Sequence, residues 1–165
     1  DKAPNGAESI LFKSLLEHHN GDRNAAIQAK AKVHTSEFRE WFGDWVNDDK
    51  TNVSKVVDEN GEPKVMYHHT NNNNLEEFET GFDNYFSKVK NGTKNAIFFT
   101  ETKDKILNRA HTMAVYLNIK DPFKYHGTKS SMHDKDTSYT SLVNEAEKNN
   151  DGAIFTGLDD NQLLN

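Results

Sequence analysis

A chain of 165 residues is one domain's worth, long enough to bury a core and short for two independent ones. Its 26 acidic against 20 basic residues leave a net charge of -6, so it presents no basic field to a polyanion and nucleic acid is a disfavoured partner. With 34% hydrophobic and 28% charged residues, ten Phe and two Trp must supply much of a modest aromatic core. No apolar run approaches the roughly 20 residues of a membrane span, and no charged-then-apolar leader opens the chain, which reads as soluble. The absence of cysteine removes disulfide and thiolate chemistry and suits a reducing, cytoplasmic compartment. The first residue is Asp1 rather than Met, so the chain reads as a piece of something longer.

The first third predicts helices. Ser9 caps a pattern of Ile10, Leu11, Leu15 and Leu16, and Asn20-Gly21 closes it with residues that tolerate a left-handed turn. Asp22 caps a second, Ala-rich helix, whose main large apolar residue is Ile27 and which needs packing from its neighbours. Thr35 or Ser36 caps a third, where Phe38, Trp41, Phe42 and Trp45 fall at i, i+3, i+4 and i+7 and predict a buried aromatic face. The period then changes to 2. Lys55-Val56-Val57 and Lys64-Val65-Met66-Tyr67 flank Asn60-Gly61 and predict a β-hairpin. Asn71 to Asn74 is a turn, and the stretch on to Gly92 reads as a loop with a short helix that lies over a site. Ala96 to Thr100 reads as a short strand, Thr102 to Ala110 as a weak helix, and Met113 to Ile119 as a strand stopped by Asp121-Pro122. Gly127 to Asp136 reads as mobile, Thr137 or Ser138 caps a helix to about Asn149, and Ala153 to Phe155 forms a last strand. There is no internal repeat.

From about Phe38 to Phe155 the ordered segments resemble the ADP-ribosyltransferase-like domain of polyvalent proteins of phages and mobile elements. The residues that carry the resemblance are Phe38-Arg39-Glu40-Trp41-Phe42-Gly43-Asp44-Trp45, Ser54 to Pro63, Val65-Met66-Tyr67-His68, Ile97-Phe98-Phe99-Thr100, Tyr116 to Pro122 and Asp151-Gly152-Ala153-Ile154-Phe155. The order of the set is specific, not any single piece. The resemblance implies an α+β fold, with N-terminal helices packed on a mixed, mainly antiparallel split β-sheet. Residues 1–50 would be a helical segment packing on the same domain as an ADP-ribosyltransferase-like core at 51–165, one globular unit overall.

That class is summarised as His, Tyr, Glu, and its first motif reads Tyr-His-Gly-Thr. Here it stands as Tyr67-His68-His69-Thr70. The resemblance assigns His68 to the NAD ribose hydroxyls and the backbone after it to the nicotinamide amide, with His69 replacing the usual Gly beside the nicotinamide slot. Phe98 takes the aromatic position that stacks on nicotinamide. Phe98 and Phe99 alternate on a strand, so one is core, and His68 and Phe98 are expected to line one cleft. The third position, a Glu that stabilises oxocarbenium character, has no convincing match: Asp159-Asp160-Asn161-Gln162-Leu163 looks like the family's closing motif, no Glu precedes it, and Glu145 and Glu147 sit in a helical pattern.

Read without the resemblance, Phe38, Trp41, Phe42 and Trp45 are core packing and His68 is an ordinary histidine. A metal site is the obvious competitor, but His68-His69 and His18-His19 are adjacent pairs without ligand spacing, and His133, Asp134 and Asp136 read as a solvated turn. The nine glycines form no phosphate loop, so NAD would not be held by a Rossmann motif. Two functions follow. One is a mono-ADP-ribosyltransferase that takes NAD as substrate and modifies an unknown macromolecular target in a bacterial or phage-infected cell. The other is a catalytically inactive binding module of the same fold.

Overall fold

The computed structural model describes residues 8–47, 51–78, 96–104, 109–127 and 139–157. Their elements in chain order are α1 (Ile10–His18), α2 (Arg23–Val33), α3 (Ser36–Phe42), β1 (Met66–Thr70), β2 (His111–Val115), β3 (Pro122–His126), α4 (Tyr139–Ala146) and β4 (Gly152–Thr156). The class is α+β. Contacts divide the chain into two units, one within 1–68, 100–103 and 112–120, the other within 69–99, 104–111 and 121–165.

In the first unit the helices begin where the caps predict. Ser9, Asp22 and Thr35 accept from the backbone N–H of Phe12, Ala25 and Phe38 at 3.2, 3.0 and 3.3 Å, each satisfying a donor that has no partner inside its own helix. Asn20 and Gly21 turn the chain with φ of 53° and 85°. Leu11, Phe12 and Leu15 of α1, Ala26 and Val33 of α2, and Val65 and Tyr67 beside and within β1 form one buried cluster. The Ala-rich α2 thus gains the packing that its composition requires, through small residues rather than Ile27, which is 51% exposed.

The aromatic face is a correction. The third helix stops at Phe42, because Gly43 takes a φ of 104° and the chain returns so closely that a Cβ there would lie 2.4 Å from Asn52 O and Val53 Cα. Trp45 therefore leaves the helix and donates its Nε1–H to Val33 O at 3.2 Å. Phe42 is fully buried, Phe38 stacks on it at 5.2 Å, and Trp41 is 47% exposed. One helical face is wider than the surface α3 covers.

The predicted hairpin is a tight loop rather than two strands. Asp58 N–H donates to Glu62 O at 2.9 Å, Gly61 has a φ of 79°, and the only ladder residue pair is the isolated antiparallel bridge Val57 to Pro63. Regular strand begins at Met66. Lys64 N–H also donates across the loop to Val56 O at 3.2 Å, but residues 54 and 55 pair elsewhere: Ser54, almost fully buried, donates from Oγ to Leu117 O at 2.7 Å and accepts from the Val56 and Ile119 amides at 3.2 and 3.1 Å. Lys55 N–H donates to Ile119 O at 2.6 Å. These bonds explain why the strand predicted over Met113 to Ile119 is regular only to Val115: its second half binds an irregular segment.

β1 and β2 form an antiparallel pair. In the second unit β3 and β4 pair in parallel, Pro122 with Gly152 through His126 with Thr156, and α4 packs on both. Pro122, read as a strand stop, is a strand's first residue, where its missing N–H costs nothing. The turn into β3 is tied by Asp121, whose N–H donates to Asp151 Oδ1 at 2.9 Å and whose carbonyl accepts from Asp151 N–H at 3.3 Å. Residues 96–99 form no strand, since only Thr100 meets the β1 ladder, and Thr102 to Asp104 form no helix. The expectations for 79–95, 105–108, 128–138 and 158–165 lie outside the described residues.

Candidate functional site

The strand β1 is built from the inside out. Val65 and Tyr67 point into the helix-backed cluster, Tyr67 with 3% exposure, and the alternation of a strand turns Met66 and His68 to the other face, where both are half-buried. Burial, then the charge of Glu17, raises the Tyr67 phenol above its usual range, so it stays a neutral packing group. Its ring meets His18 of α1 at 6.3 Å. Tyr67 and Thr100 exchange two backbone hydrogen bonds of 2.8 and 2.9 Å. This backbone anchor lies one residue before His68.

His69 and Thr70 continue the strand half-buried. Thr70 Oγ1 accepts from Asn72 N–H at 3.1 Å, and Asn72 Oδ1 accepts from Asn74 N–H at 3.0 Å. The four-Asn run is thus a side-chain-capped turn ending β1. Asn71 Oδ1 also accepts from Ala110 N–H at 3.1 Å, one residue before β2.

Phe98, the predicted stacking residue, is 38% exposed. Phe99 is half-buried and meets Phe78 edge-on at 5.4 Å. Tyr67 and His68 fall in the first unit and His69, Thr70 and Phe98 in the second, with Phe98 two residues before Thr100 in sequence.

After Phe155 the described chain holds only Thr156 and Gly157. Thr156 Oγ1 and His126 Nδ1 lie 2.9 Å apart at the carboxyl ends of β4 and β3. Glu145, on α4, pairs with Lys148 at 2.5 Å, and Glu147 follows the helix, exposed. Asp159 to Leu163 and the His133, Asp134 and Asp136 group lie outside the described residues. Among the described residues no group of three His, Asp or Glu could hold a metal ion, and no helix is long and apolar enough to cross a membrane.

Three polar residues that sequence reasoning passed over organise the first unit. Ser54 joins 54–56 to 117–119, as above. Lys30 is 6% exposed and donates to the capping Ser9 Oγ at 2.9 Å, with Glu62 Oε1 at 3.4 Å, so a buried ammonium links α1, α2 and the 58–63 loop. Lys103 Nζ donates to Glu17 O, His18 O and Asn20 Oδ1 at 2.9, 3.3 and 3.1 Å. None had a local signal, because a lysine or serine in a polar stretch ordinarily faces water.

A family model described as ADP-ribosyltransferase in polyvalent proteins matches residues 58–163, a span that holds β1 through β4 and α4 and leaves out α1 to α3. No curated protein and no solved structure matches the chain.

Proposed function

Because this chain belongs to the family of ADP-ribosyltransferases in polyvalent proteins, we propose that it binds NAD as a substrate and transfers ADP-ribose to a macromolecular target. The observation that carries this reading is the first motif within the matched span, Tyr67-His68-His69-Thr70, on a strand whose Tyr67 is buried and doubly bonded to Thr100. In this reading His68 donates to the ribose hydroxyls, the His69 backbone and Thr70 hold the nicotinamide amide, and Phe98 stacks on the ring. The glycosidic C–N bond breaks, neutral nicotinamide leaves, and the acceptor's nucleophile bonds to the ribose carbon and loses its proton.

The reading treats the helical segment 1–50 and the core 51–165 as one domain with the family's split, mainly antiparallel sheet. Support comes from Val65 and Tyr67, which share a buried cluster with α1 and α2. It also takes the parent to be a polyvalent protein of a phage or mobile element, acting in the cytoplasm of a bacterial or phage-infected cell on a macromolecular target for which the acidic charge disfavours nucleic acid.

A second reading, an inactive binding module, is favoured by a specific feature: a histidine side chain stands at 69, where the motif usually has Gly. Incubation with NAD labelled in the nicotinamide ring separates the two. Release of nicotinamide, abolished by His68→Ala, is the outcome expected of the enzyme. NAD bound without release identifies the inactive module, and no calorimetric response at millimolar NAD or nicotinamide overturns both.

A further inference from the structure

The segment Thr100 to Lys103 has no helix or strand, yet it is fastened at several points within the first unit. Thr100 pairs with Tyr67 through two backbone hydrogen bonds. Glu101 meets Lys64 Nζ at 2.6 Å. Lys103 reaches the C-terminal end of α1, where Glu17 O, His18 O and Asn20 Oδ1 match the three protons of its ammonium. A cation at a helix C-terminus is favoured both by carbonyls with no partner in the helix and by the dipole.

The bridge to Tyr67 is isolated, one residue pair with no ladder on either side. Two neutral hydrogen bonds give a small net gain beside the conformational entropy lost in ordering four residues, so anchors elsewhere in the segment add to its hold. The Lys64–Glu101 pair is a poor one, because Glu101 is largely exposed and such pairs are weakened by water and salt. Lys103 is the stronger, since α1 is itself immobilised by Leu11, Phe12 and Leu15 in the core.

We propose that Lys103 is a positioning residue for the NAD site: by clamping the end of α1 it holds Thr100 against Tyr67 and so fixes the strand that carries His68. The proposal rests on the NAD-binding reading above. It makes α1, which lies outside the matched span, part of the site's support.

The test uses the full chain and the variants Lys103→Met, Lys103→Arg and Asn20→Gly. The last removes one acceptor of Lys103 at a position already in the left-handed region, so it folds even if Lys103→Met does not. Without NAD, Lys103→Met is expected to speed amide hydrogen exchange at Tyr67 and Thr100 about tenfold, leaving β3 and β4 unchanged. With NAD, it is expected to weaken calorimetric affinity by about tenfold or more, since small misplacements at a site carry large penalties. Lys103→Arg should restore both, and Asn20→Gly should shift both less in the same direction. Unchanged exchange at Tyr67 and Thr100 overturns the clamp whether or not NAD binds. Faster exchange with unaltered NAD affinity, or with a lowered melting temperature alone, reduces Lys103 to a helix cap and overturns the positioning role. A wild-type chain silent toward NAD whose exchange still responds to Lys103→Met overturns the functional reading, and with it the role at an NAD site, while leaving the clamp.

Discussion

The strand pairs β1–β2 and β3–β4 have strands of equal length and are buried very differently. Beneath β1 lie Leu11, Phe12, Leu15, Ala26 and Val33, with Phe42, Val53 and Val56 buried elsewhere in the same unit. In the second unit the buried hydrophobics among the described residues are Leu142, Val143 and Ala146, all on α4, and β3 and β4 are nowhere more than half-buried. A parallel pair asks for cover on both faces, whereas an antiparallel pair functions with one. The strand with the predicted ribose-binding histidine is thus the one with a dense floor: Tyr67 packs into it, and His68, its neighbour in sequence, faces the other way.

The largest effect that tests this contrast is on stability. Leu15→Ala should cost about 4 kcal/mol and Leu142→Ala about 2 kcal/mol, because the cost of a cavity scales with how densely its walls are packed. Urea unfolding followed by far-ultraviolet circular dichroism reads both units, since each contains helix and strand. Equal losses for the two variants would erase the distinction. Gly43→Ala should come next, at about 3 kcal/mol, since it adds both a clash with backbone and a left-handed φ. Gly61→Ala, with open space around its Cβ, should cost only about 1 kcal/mol.

Caps give smaller shifts. Asp22→Ala should cost about 1 kcal/mol, and Ser9→Ala about 2 kcal/mol because it also removes an acceptor of buried Lys30. Similar values for the two would mean that the Lys30 bond contributes nothing. His68→Ala, on the face away from the core, should leave stability within about 0.5 kcal/mol while removing any NAD response. A large loss of stability would make His68 a structural residue.

The smallest effect is in pH. Burial, aided by the positive charge of neighbours His19 and Lys103 for His18 and Lys30 for His34, holds both imidazoles below 6.5. Above pH 6.5 both folded and unfolded states are neutral at these positions. As pH falls below that value the unfolded chain takes up protons first, so stability is lost on acidification. The melting temperature should be lower at about pH 5.5 than at pH 7.5, and His18→Gln should flatten the slope. Burial pushes the Asp58 carboxyl up, an opposite trend that disfavours the folded state as pH rises through the carboxylate range and so does not mask the histidines near neutrality. A slope unaltered in both His18→Gln and His34→Gln would assign the pH response to groups other than these two histidines.

Much of this was legible locally. The capping oxygens of Ser9, Asp22 and Thr35, the Asn20-Gly21 reversal, the Asn60-Gly61 turn and the strand after Asp151-Gly152 depend on residues within a few positions of one another, where side-chain chemistry and backbone angle suffice. The Tyr67-His68 motif was legible for the same reason: it is four consecutive residues whose alternation follows from being a strand. The end of α3 was not, because Gly43 matters through the return of Asn52 and Val53, and neither was the exposure of Trp41, which depends on how much surface remains to cover it. Nor was the direction of β3 against β4, since a parallel register is set by partners 30 residues apart in sequence.

The sequence by itself therefore determined the helix starts, the turns, the α+β class and the family, all of which are written in short windows or in their order. Only the tertiary structure decided which polar residues organise the fold. Lys30, Ser54 and Lys103 look like solvated surface until chain segments 21, 63 and 86 residues away bring them acceptors, and a hydrogen bond between distant segments has no period for a sequence to display.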